Sequence, residues 1–193
     1  MKYKDLKDEI RDLGFEDDTI FTEYVFVIPS AITRACRLIA STIKAPTGEI
    51  LLNLSDDSVR NETGRYDLAE LSKNDDGDVM FDSIESVYIG NDRFFRYDIE
   101  DDHIFVVSPT LSSDLTIYYN ERILPVTKDT QEDFDIQVVY PCEPLVALLA
   151  AHYVWLDDDE RKAILYWNEY DQLKQEIMEK LRSEERRVGK ECR

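Results

Sequence analysis

Apolar residues are most concentrated near the C-terminus, in the stretch from Pro144 to Leu181. Its first half, Leu145 to Leu156, is apolar nearly all round, which is typical of a helix buried on most sides. In its second half, apolar residues recur at steps of three and four and form one helical stripe: Ala163, Tyr166, Tyr170, Leu173 and Ile177. The pattern predicts two antiparallel helices.

Three aspartates, Asp157, Asp158 and Asp159, mark the expected turn of this helical hairpin. A carboxylate of Asp157 or Asp158 can accept hydrogen bonds from the free backbone N–H groups of the second helix. Asp157 and Glu160 also have the spacing of a capping box. We therefore interpret the triplet as a helix cap rather than as a calcium site.

Two more helical patterns lie near the N-terminus. Residues 2–13 form the first, which is expected to end at Gly14, and its apolar face is Tyr3, Leu6, Ile10 and Leu13. The second begins near Pro29, and its apolar face is Ile32, Cys36, Ile39 and Ile43. Residues 19–27 are ambiguous, because their composition favours a strand and their position between two helices favours a helix.

The middle of the chain has a different period. Short apolar runs, separated by turns rich in Gly, Asn and Asp, predict antiparallel strands. The expected strands are 49–54, 83–89, 93–99, 103–107 and 114–121, and residues 66–71 are expected to be a short strand or a turn.

These patterns predict an α+β fold with a helical base and an inserted antiparallel β lobe. Residues 1–45 are the N-terminal helical segment, 46–128 the β insert, and 129–181 a linker followed by the hairpin, which packs on residues 1–45. The helical pieces are expected to pack together, because neither can bury its apolar face alone.

The last residues, 182–193, differ in composition from the rest of the chain. The string RSEERRVGKEC, Arg182 to Cys192, is basic and lacks apolar periodicity. It resembles, residue by residue, the translation of a common short sequencing adapter. We therefore expect residues 182–193 to be a non-native tail that takes no part in the predicted fold.

The chain is strongly acidic, with a formal net charge of -19. This excess argues against an open basic surface for nucleic acid and against adhesion to an anionic membrane. The N-terminus lacks the apolar segment of a signal peptide, and no apolar run reaches membrane-spanning length. Synthesis in a reducing cytoplasm is expected, since three scattered cysteines are too few for a disulfide framework or a zinc site.

No residue pattern indicates an enzyme, a cofactor or a metal. Residues 74–78 have calcium-ligand types without the EF-hand order, so a solvated acidic turn is favoured. His103 and His152, the two histidines, have no partner at ligand spacing. Cys36 is expected to be a core residue, and Cys142, between two prolines, could be exposed.

Aromatic residues are frequent in the predicted β insert. Five of them could form a binding platform for sugar or nucleic acid, although core packing is the favoured interpretation: Phe94, Phe95, Tyr97, Tyr118 and Tyr119.

Three stretches together resemble a known protein family. They are KYKDLKDEIRDLGFEDD at the start, AITRACRLIAS, and PCEPLVALLAAHYVWLDDDERKAILYWNEYDQLKQEI near the end. This combination is similar to the head–tail connector proteins of tailed bacteriophages, of the adaptor or head-completion type. The resemblance covers about half of the chain. The β insert departs from the all-helical members of that family.

The resemblance implies a non-enzymatic virion subunit, made in the bacterial host cytoplasm and located in the phage neck. Such adaptors form a homo-oligomeric ring, often twelve-fold, which binds the portal protein and the next neck or tail-completion protein. DNA is then only passing cargo, and an acidic channel wall would let it slide. The expected assembly interface comprises Leu145, Leu148, Leu149, Tyr153, Trp155, Tyr166, Trp167 and Tyr170.

The residues are also compatible with a function of a different class. The chain could be a virion-surface or baseplate module whose β lobe binds carbohydrate or a host receptor. Exposed aromatic residues on one face of the β lobe would favour this alternative.

The interpretation of the last residues can be tested directly. Sequencing an independent clone of the gene past the codon for Leu181 is expected to give residues other than RSEERRVGKEC. Recovery of the same string from that clone would show that the tail is native.

Overall fold

The computed structural model describes residues 1–15, 17–56 and 58–191, without the side chains of residues 18 and 184–191. The chain divides into two compact units. Unit 1, the helical unit, comprises Met1–Ala45 and Ile123–Arg193, and unit 2, the β unit, comprises Pro46–Arg122. The α+β fold class is confirmed, with helices at both ends and antiparallel sheets between them.

Along the chain, the described elements belong first to the helical unit, then to the β unit, and then again to the helical unit. In chain order they are α1 (Tyr3–Gly14), α2 (Asp18–Tyr24), α3 (Ile28–Thr42), β1 (Thr47–Leu52), β2 (Arg65–Asp67), α4 (Leu68–Leu71), β3 (Phe81–Ile89), β4 (Asp92–Arg93), β5 (Asp98–Glu100), β6 (Ile104–Val106), β7 (Leu115–Glu121), α5 (Glu143–Trp155) and α6 (Glu160–Glu191). Helix α6 includes most of the expected non-native tail, whereas Cys192 and Arg193 lie outside the described residues.

Helix α5 is the centre of the helical unit. It packs against α1, α3 and α6, so that it has neighbours on several sides. This arrangement follows from its sequence, because an all-round apolar helix is stable in water only when other elements cover it. Its buried residues lie on all faces: Leu145, Val146, Ala147, Leu149, Ala150, Ala151, Val154 and Trp155.

Helices α1 and α3 contribute their predicted apolar faces to the same core. Tyr3, Leu6 and Ile10 are buried on α1, and Ile32, Cys36 and Ile39 are buried on α3. Burial raises the pKa of the Cys36 thiol to about 12, so the thiol stays protonated, as expected for a core residue. The prediction that Cys142 could be exposed is wrong: it lies at the start of α5 and is 1% exposed.

The hairpin turn is capped by a different aspartate than predicted. The Asp159 carboxylate accepts hydrogen bonds from the backbone N–H groups of Arg161 (3.0 Å) and Lys162 (3.2 Å). These are two of the otherwise unpaired donors at the start of α6. Asp158 instead accepts a hydrogen bond from the Tyr24 hydroxyl. The predicted cap at Asp157 or Asp158 is therefore wrong by one or two positions.

The segment before the hairpin belongs to the helical unit. The β unit ends at Arg122 rather than at residue 128, because Ile123 and Val126 are buried in the helical core. The buried Thr33 hydroxyl accepts a hydrogen bond from the Val126 N–H (2.8 Å) and donates one to the Pro29 carbonyl (3.0 Å). The hydrogen bond between α3 and this segment therefore pairs both the buried Thr33 hydroxyl and the Val126 N–H.

The β unit contains two antiparallel sheets. Four strands are ordered β1-β7-β3-β4, and three are ordered β2-β6-β5. Alternate residues of β7, namely Leu115, Ile117 and Tyr119, are buried, as the period of a half-buried strand requires. They share one core with residues of both sheets, including Ile50, Leu52, Val87 and Phe105.

The structure decides two ambiguous predictions and corrects a third. The ambiguous residues 19–27 are mainly helical, since α2 spans Asp18–Tyr24. The predicted strand 93–99 is broken into β4 and β5, because the Phe94 and Tyr97 rings stack on each other and Tyr97 packs on Phe105. Residues 66–71 comprise the end of β2 and the short helix α4.

A pair of leucines tests whether α5 is the structural centre of the helical unit. Leu149→Ala removes a fully buried side chain and should lower the free energy of unfolding by about 2–5 kcal/mol. Leu165→Ala, at a residue 51% exposed on α6, should cost about 1 kcal/mol or less. Urea unfolding followed by tryptophan fluorescence measures both, because the chain's 2 tryptophans, Trp155 and Trp167, lie in the helical unit. Equal losses would contradict a central role for α5.

Candidate functional site

Five of the eight residues predicted to form an assembly interface are instead buried in the core of their own chain. Leu145, Leu149, Trp155, Tyr166 and Tyr170 are each at most 6% exposed. The prediction that α5 is buried on most sides is correct, but the elements that cover it are α1, α3 and α6 of the same chain. Interface formation by Leu148, Tyr153 and Trp167, which are half-buried or exposed, stays a prediction.

These three residues lie along the α5–α6 packing. The Trp167 ring contacts the ring of His152 at 5.1 Å, and the His152 ring contacts that of Tyr153 at 5.2 Å. The Arg34 guanidinium of α3 covers the Tyr153 ring at 4.1 Å. Nδ1 of His152 lies 2.8 Å from the Ala163 carbonyl, which holds the imidazole between the two helices. His152 is thus part of the packing between α5 and α6.

Helix α6 also carries exposed apolar residues near Trp167. Ile164 and Leu165 are each 51% exposed, and Trp167 is 40% exposed. Ile164 and Trp167 are three residues apart and therefore neighbours on the helix surface. The sequence contains an indication of these exposed residues. Ile164 and Leu165 are apolar, but they lie off the buried stripe that includes Ala163 and Tyr166.

A second exposed apolar group follows helix α2. Val25, Phe26 and Val27 are 39%, 75% and 43% exposed. The preceding residue, Tyr24, packs its ring on Trp155 at 5.2 Å and donates a hydrogen bond to the Asp158 carboxylate at 2.7 Å. These contacts place residues 25–27 at the same end of the helical unit as the hairpin turn, where Leu156 is 43% exposed.

We name these residues together the hairpin-end surface. It comprises Val25, Phe26, Val27, Leu156, Ile164, Leu165 and Trp167. We treat these exposed residues, which come from the ends of α2 and α5 and from the first turns of α6, as one candidate protein-binding surface, because clustered exposed apolar residues are typical of such surfaces. The residues around it include the carboxylates of Asp157, Asp158 and Glu160.

Several polar and aromatic contacts connect the residues next to this surface. The Tyr166 hydroxyl donates a hydrogen bond to the Leu13 carbonyl, and the Lys162 ammonium lies over the Trp155 ring at 4.1 Å. Phe15 packs on Trp155 at 5.0 Å and on Tyr24 at 5.3 Å. An alanine at Gly14 would place its Cβ 2.6 Å from Nε1 of Trp155, so only glycine fits there. The ends of α1, α2 and α5 are therefore fixed relative to one another.

The acidic turn at residues 74–78 belongs to the β unit. Asn74 Oδ1 accepts hydrogen bonds from the backbone N–H groups of Asp76 and Asp78, which closes the acidic turn onto itself. Among the described residues, no group of three or more His, Cys, Asp or Glu side chains could hold a metal ion. In the same part of the chain, no helix has both the length and the apolar character needed to cross a membrane.

The five aromatic residues of the β unit do not form one platform. Tyr119 is buried, Phe94 and Tyr97 are half-buried, and Phe95 and Tyr118 are exposed. The Phe94 ring stacks on that of Tyr97, which in turn packs on the core ring of Phe105. Core packing therefore accounts for three of the five residues.

No protein-family model matches the chain, and no curated protein matches its sequence. The resemblance to head–tail connectors thus rests on three stretches of sequence: the one that begins at Lys2, AITRACRLIAS, and the hairpin.

The bond between Tyr24 and Asp158 gives a pH-dependent prediction. Chiefly because its hydroxyl donates to the Asp158 carboxylate, the pKa of Tyr24 is raised to about 12, above its ordinary value of 10.0. A raised tyrosine pKa means that the neutral phenol is favoured in the folded state. Its stabilising contribution is therefore fully present below pH 10 and is lost as the pH rises through about 12.

Carbon-13 NMR of tyrosine-labelled protein measures this titration. The pH range is the one in which circular dichroism shows that the protein is folded. The Tyr24 resonance, assigned with Tyr24→Phe, should stay largely unshifted at pH ~10, where an ordinary tyrosine is half ionised. Asp158→Asn should move its titration down towards the ordinary value, because the negative acceptor is gone. A Tyr24 that is half ionised near pH 10 with Asp158 intact would contradict the hydrogen bond.

Proposed function

We propose that this chain is a non-enzymatic subunit of the head–tail connector of a tailed bacteriophage. In this proposal it forms a ring in the virion neck, binds the portal protein on one side, and receives the next neck or tail-completion protein on the other. The observation that carries the proposal is that all three stretches with the family resemblance lie in one structural unit. They correspond to α1, α3 and the α5–α6 hairpin.

The hairpin-end surface supports assembly of identical subunits. The core residues of α5 are covered within the chain, so they need no partner. Ile164, Leu165 and Trp167, in contrast, are 51%, 51% and 40% exposed to water. Burying such residues against a neighbour stabilises an assembly by about 25 cal/mol per Å² of apolar surface removed from water.

Charge distribution favours a head-to-tail arrangement of these subunits. No Asp or Glu occurs between Glu23 and Glu49, although the chain has 42 acidic residues. The exposed side of α3 within this acid-free stretch carries Arg37, and also Arg34, whose guanidinium covers the Tyr153 ring of its own chain. An acidic rim around the hairpin turn of one copy would therefore be attracted to α3 of the next copy. Contact between two different surfaces generates a ring when the rotation closes.

The acidic composition is also compatible with a DNA channel. A net charge of -19 gives the ring a negative surface, and DNA phosphates are repelled by such a surface. A connector must let the genome pass without holding it, so weak interaction with DNA is an expected property. In this proposal DNA is cargo, and the lasting partners are proteins.

Disruption of the hairpin-end surface tests the proposal. The chain is co-expressed with the portal protein encoded near its gene, and the particles are viewed by electron microscopy and weighed by mass photometry. The unaltered chain should form rings docked on the portal. The double variant Ile164→Glu/Leu165→Glu should remain a single chain of 22.6 kDa, because two carboxylates would be buried without partners.

A matched control is available in the β unit. Leu71 is 49% exposed on the short helix α4, so Leu71→Glu makes the same chemical change at similar exposure. This variant should assemble like the unaltered chain. An unaltered chain that stays monomeric and never joins the portal would overturn the proposed function, and assembly by the double variant would overturn the role of the surface.

A further inference from the structure

The outward face of the four-stranded sheet in the β unit carries an open groove. Its volume is about 590 Å³, within the range typical of small-ligand sites. The lining residues come from β3, from β7 and from the turn between β3 and β4: Glu85, Ser86, Tyr88, Gly90, Asn91, Thr116 and Tyr118. From these residues we infer that the groove is a binding site for a neutral carbohydrate.

The groove is built by strand register rather than by a loop. Tyr88 pairs with Thr116 and Ser86 pairs with Tyr118, so their side chains share the face opposite the buried Val87 and Ile117. An irregularity in β3 between Ile84 and Ser86 leaves Glu85 without a partner on β7. Such a bulge changes the direction of a side chain, and here Glu85 lines the groove.

The two tyrosines provide the apolar part of the site. Their ring centroids lie 5.9 Å apart at an interplanar angle of 78°, and Tyr118 is 37% exposed. In this edge-to-face arrangement neither ring is covered on both faces by the other. A free aromatic face is suited to the C–H face of a pyranose ring, which is the apolar side of a sugar.

The remaining side chains match the polar side of a sugar. The Glu85 carboxylate accepts hydrogen bonds, the Asn91 amide donates and accepts them, and the Ser86 and Thr116 hydroxyls can do either. Sugar hydroxyls need both kinds of partner. All four groups lie on one open surface, which leaves room for neighbouring residues of an oligosaccharide.

The charge of the groove distinguishes between neutral sugars and negatively charged ligands. Glu85 is the one carboxylate of the lining residues, and the lining contains no Lys or Arg. Arg93, which pairs with Tyr88, lies beside the groove and donates a hydrogen bond from its guanidinium to the Glu85 carbonyl at 3.5 Å. The Glu85 carboxylate would repel the phosphates of a nucleic acid and the carboxylates of acidic sugars, whereas the Arg93 guanidinium is engaged with the Glu85 main chain. A neutral glycan carries no such penalty. The inference stands on the β unit alone and does not depend on the connector proposal.

A glycan array probed with the fluorescently labelled full chain tests the site. We expect at least one neutral oligosaccharide to bind above background, and acidic glycans and a short oligothymidylate not to bind. Titration of the bound oligosaccharide, followed by amide NMR, should shift the signals of Tyr88, Asn91 and Tyr118. Preferred binding of the oligothymidylate, or no neutral glycan above background, would overturn the inference.

Three variants separate the groove from the rest of the β unit. Tyr118→Ala removes the exposed ring and should weaken glycan binding by about tenfold or more. Asn91→Ala, at an exposed turn residue, should weaken it by a few fold without affecting the sheet. Phe95→Ala is the matched control: Phe95 is 72% exposed and lies outside the groove lining.

The Phe95→Ala protein should bind the glycan as the unaltered chain does. Thermal unfolding of each variant shows whether it is folded. Equal binding by folded Tyr118→Ala and unaltered protein would overturn the inference, and so would a loss of binding confined to Phe95→Ala.

Discussion

The helical unit depends on the burial of α5 on all of its faces. No single neighbour can cover a helix that is apolar all round, so α1, α3 and α6 must each supply one side. The covering helices are distant in sequence, since α1 and α3 precede the β unit and α6 follows it. The apolar character of α5 therefore forces the two ends of the chain into one core, with Leu149 and Ala150 fully buried at its centre.

This constraint also limits which residues are available for the proposed assembly. Because α5 is covered by other helices of its own chain, intersubunit contact in the proposed ring would use surfaces outside the core. The hairpin-end surface satisfies that condition, since Ile164 and Leu165 point away from the stripe that packs on α5. Its position is fixed by polar contacts, namely the Tyr24–Asp158 bond and the Asp159 cap. In the proposed ring, the charge difference between the acidic hairpin turn and the acid-free α3 would give neighbouring copies a preferred orientation.

The sequence predicted the helical elements well, because periodicity directly reports which side of a helix is apolar. Periodicity does not report what covers that side, and for this reason Leu149 and Trp155 were assigned to an interface although they lie in the core. Adjacent aspartates are equally able to cap a helix, so only the geometry of the turn distinguishes Asp159 from Asp157. Likewise, Cys142 could not be placed from its neighbours, because its burial results from tertiary packing.

The β unit was less predictable for related reasons. Aromatic content predicted a strand over residues 93–99, but stacking of Phe94 and Tyr97 towards Phe105 breaks it. The groove depends on the register of β3 against β7 and on the irregularity next to Glu85. Tyr88 and Tyr118 are far apart in sequence, and no local pattern indicates that their rings are in contact.

Cysteine cross-linking between copies tests most directly whether the α6 surface of one subunit lies against α3 of the next. The double variant Leu165→Cys/Arg37→Cys, made together with Cys192→Ser, leaves only the buried native thiols of Cys36 and Cys142 besides the two new ones. With assembled protein, mild oxidation should give a ladder of covalent oligomers up to a closed ring, because each copy supplies one thiol to either neighbour. Either single variant should give no such ladder. A double variant that cross-links no further than the single variants would contradict the head-to-tail arrangement.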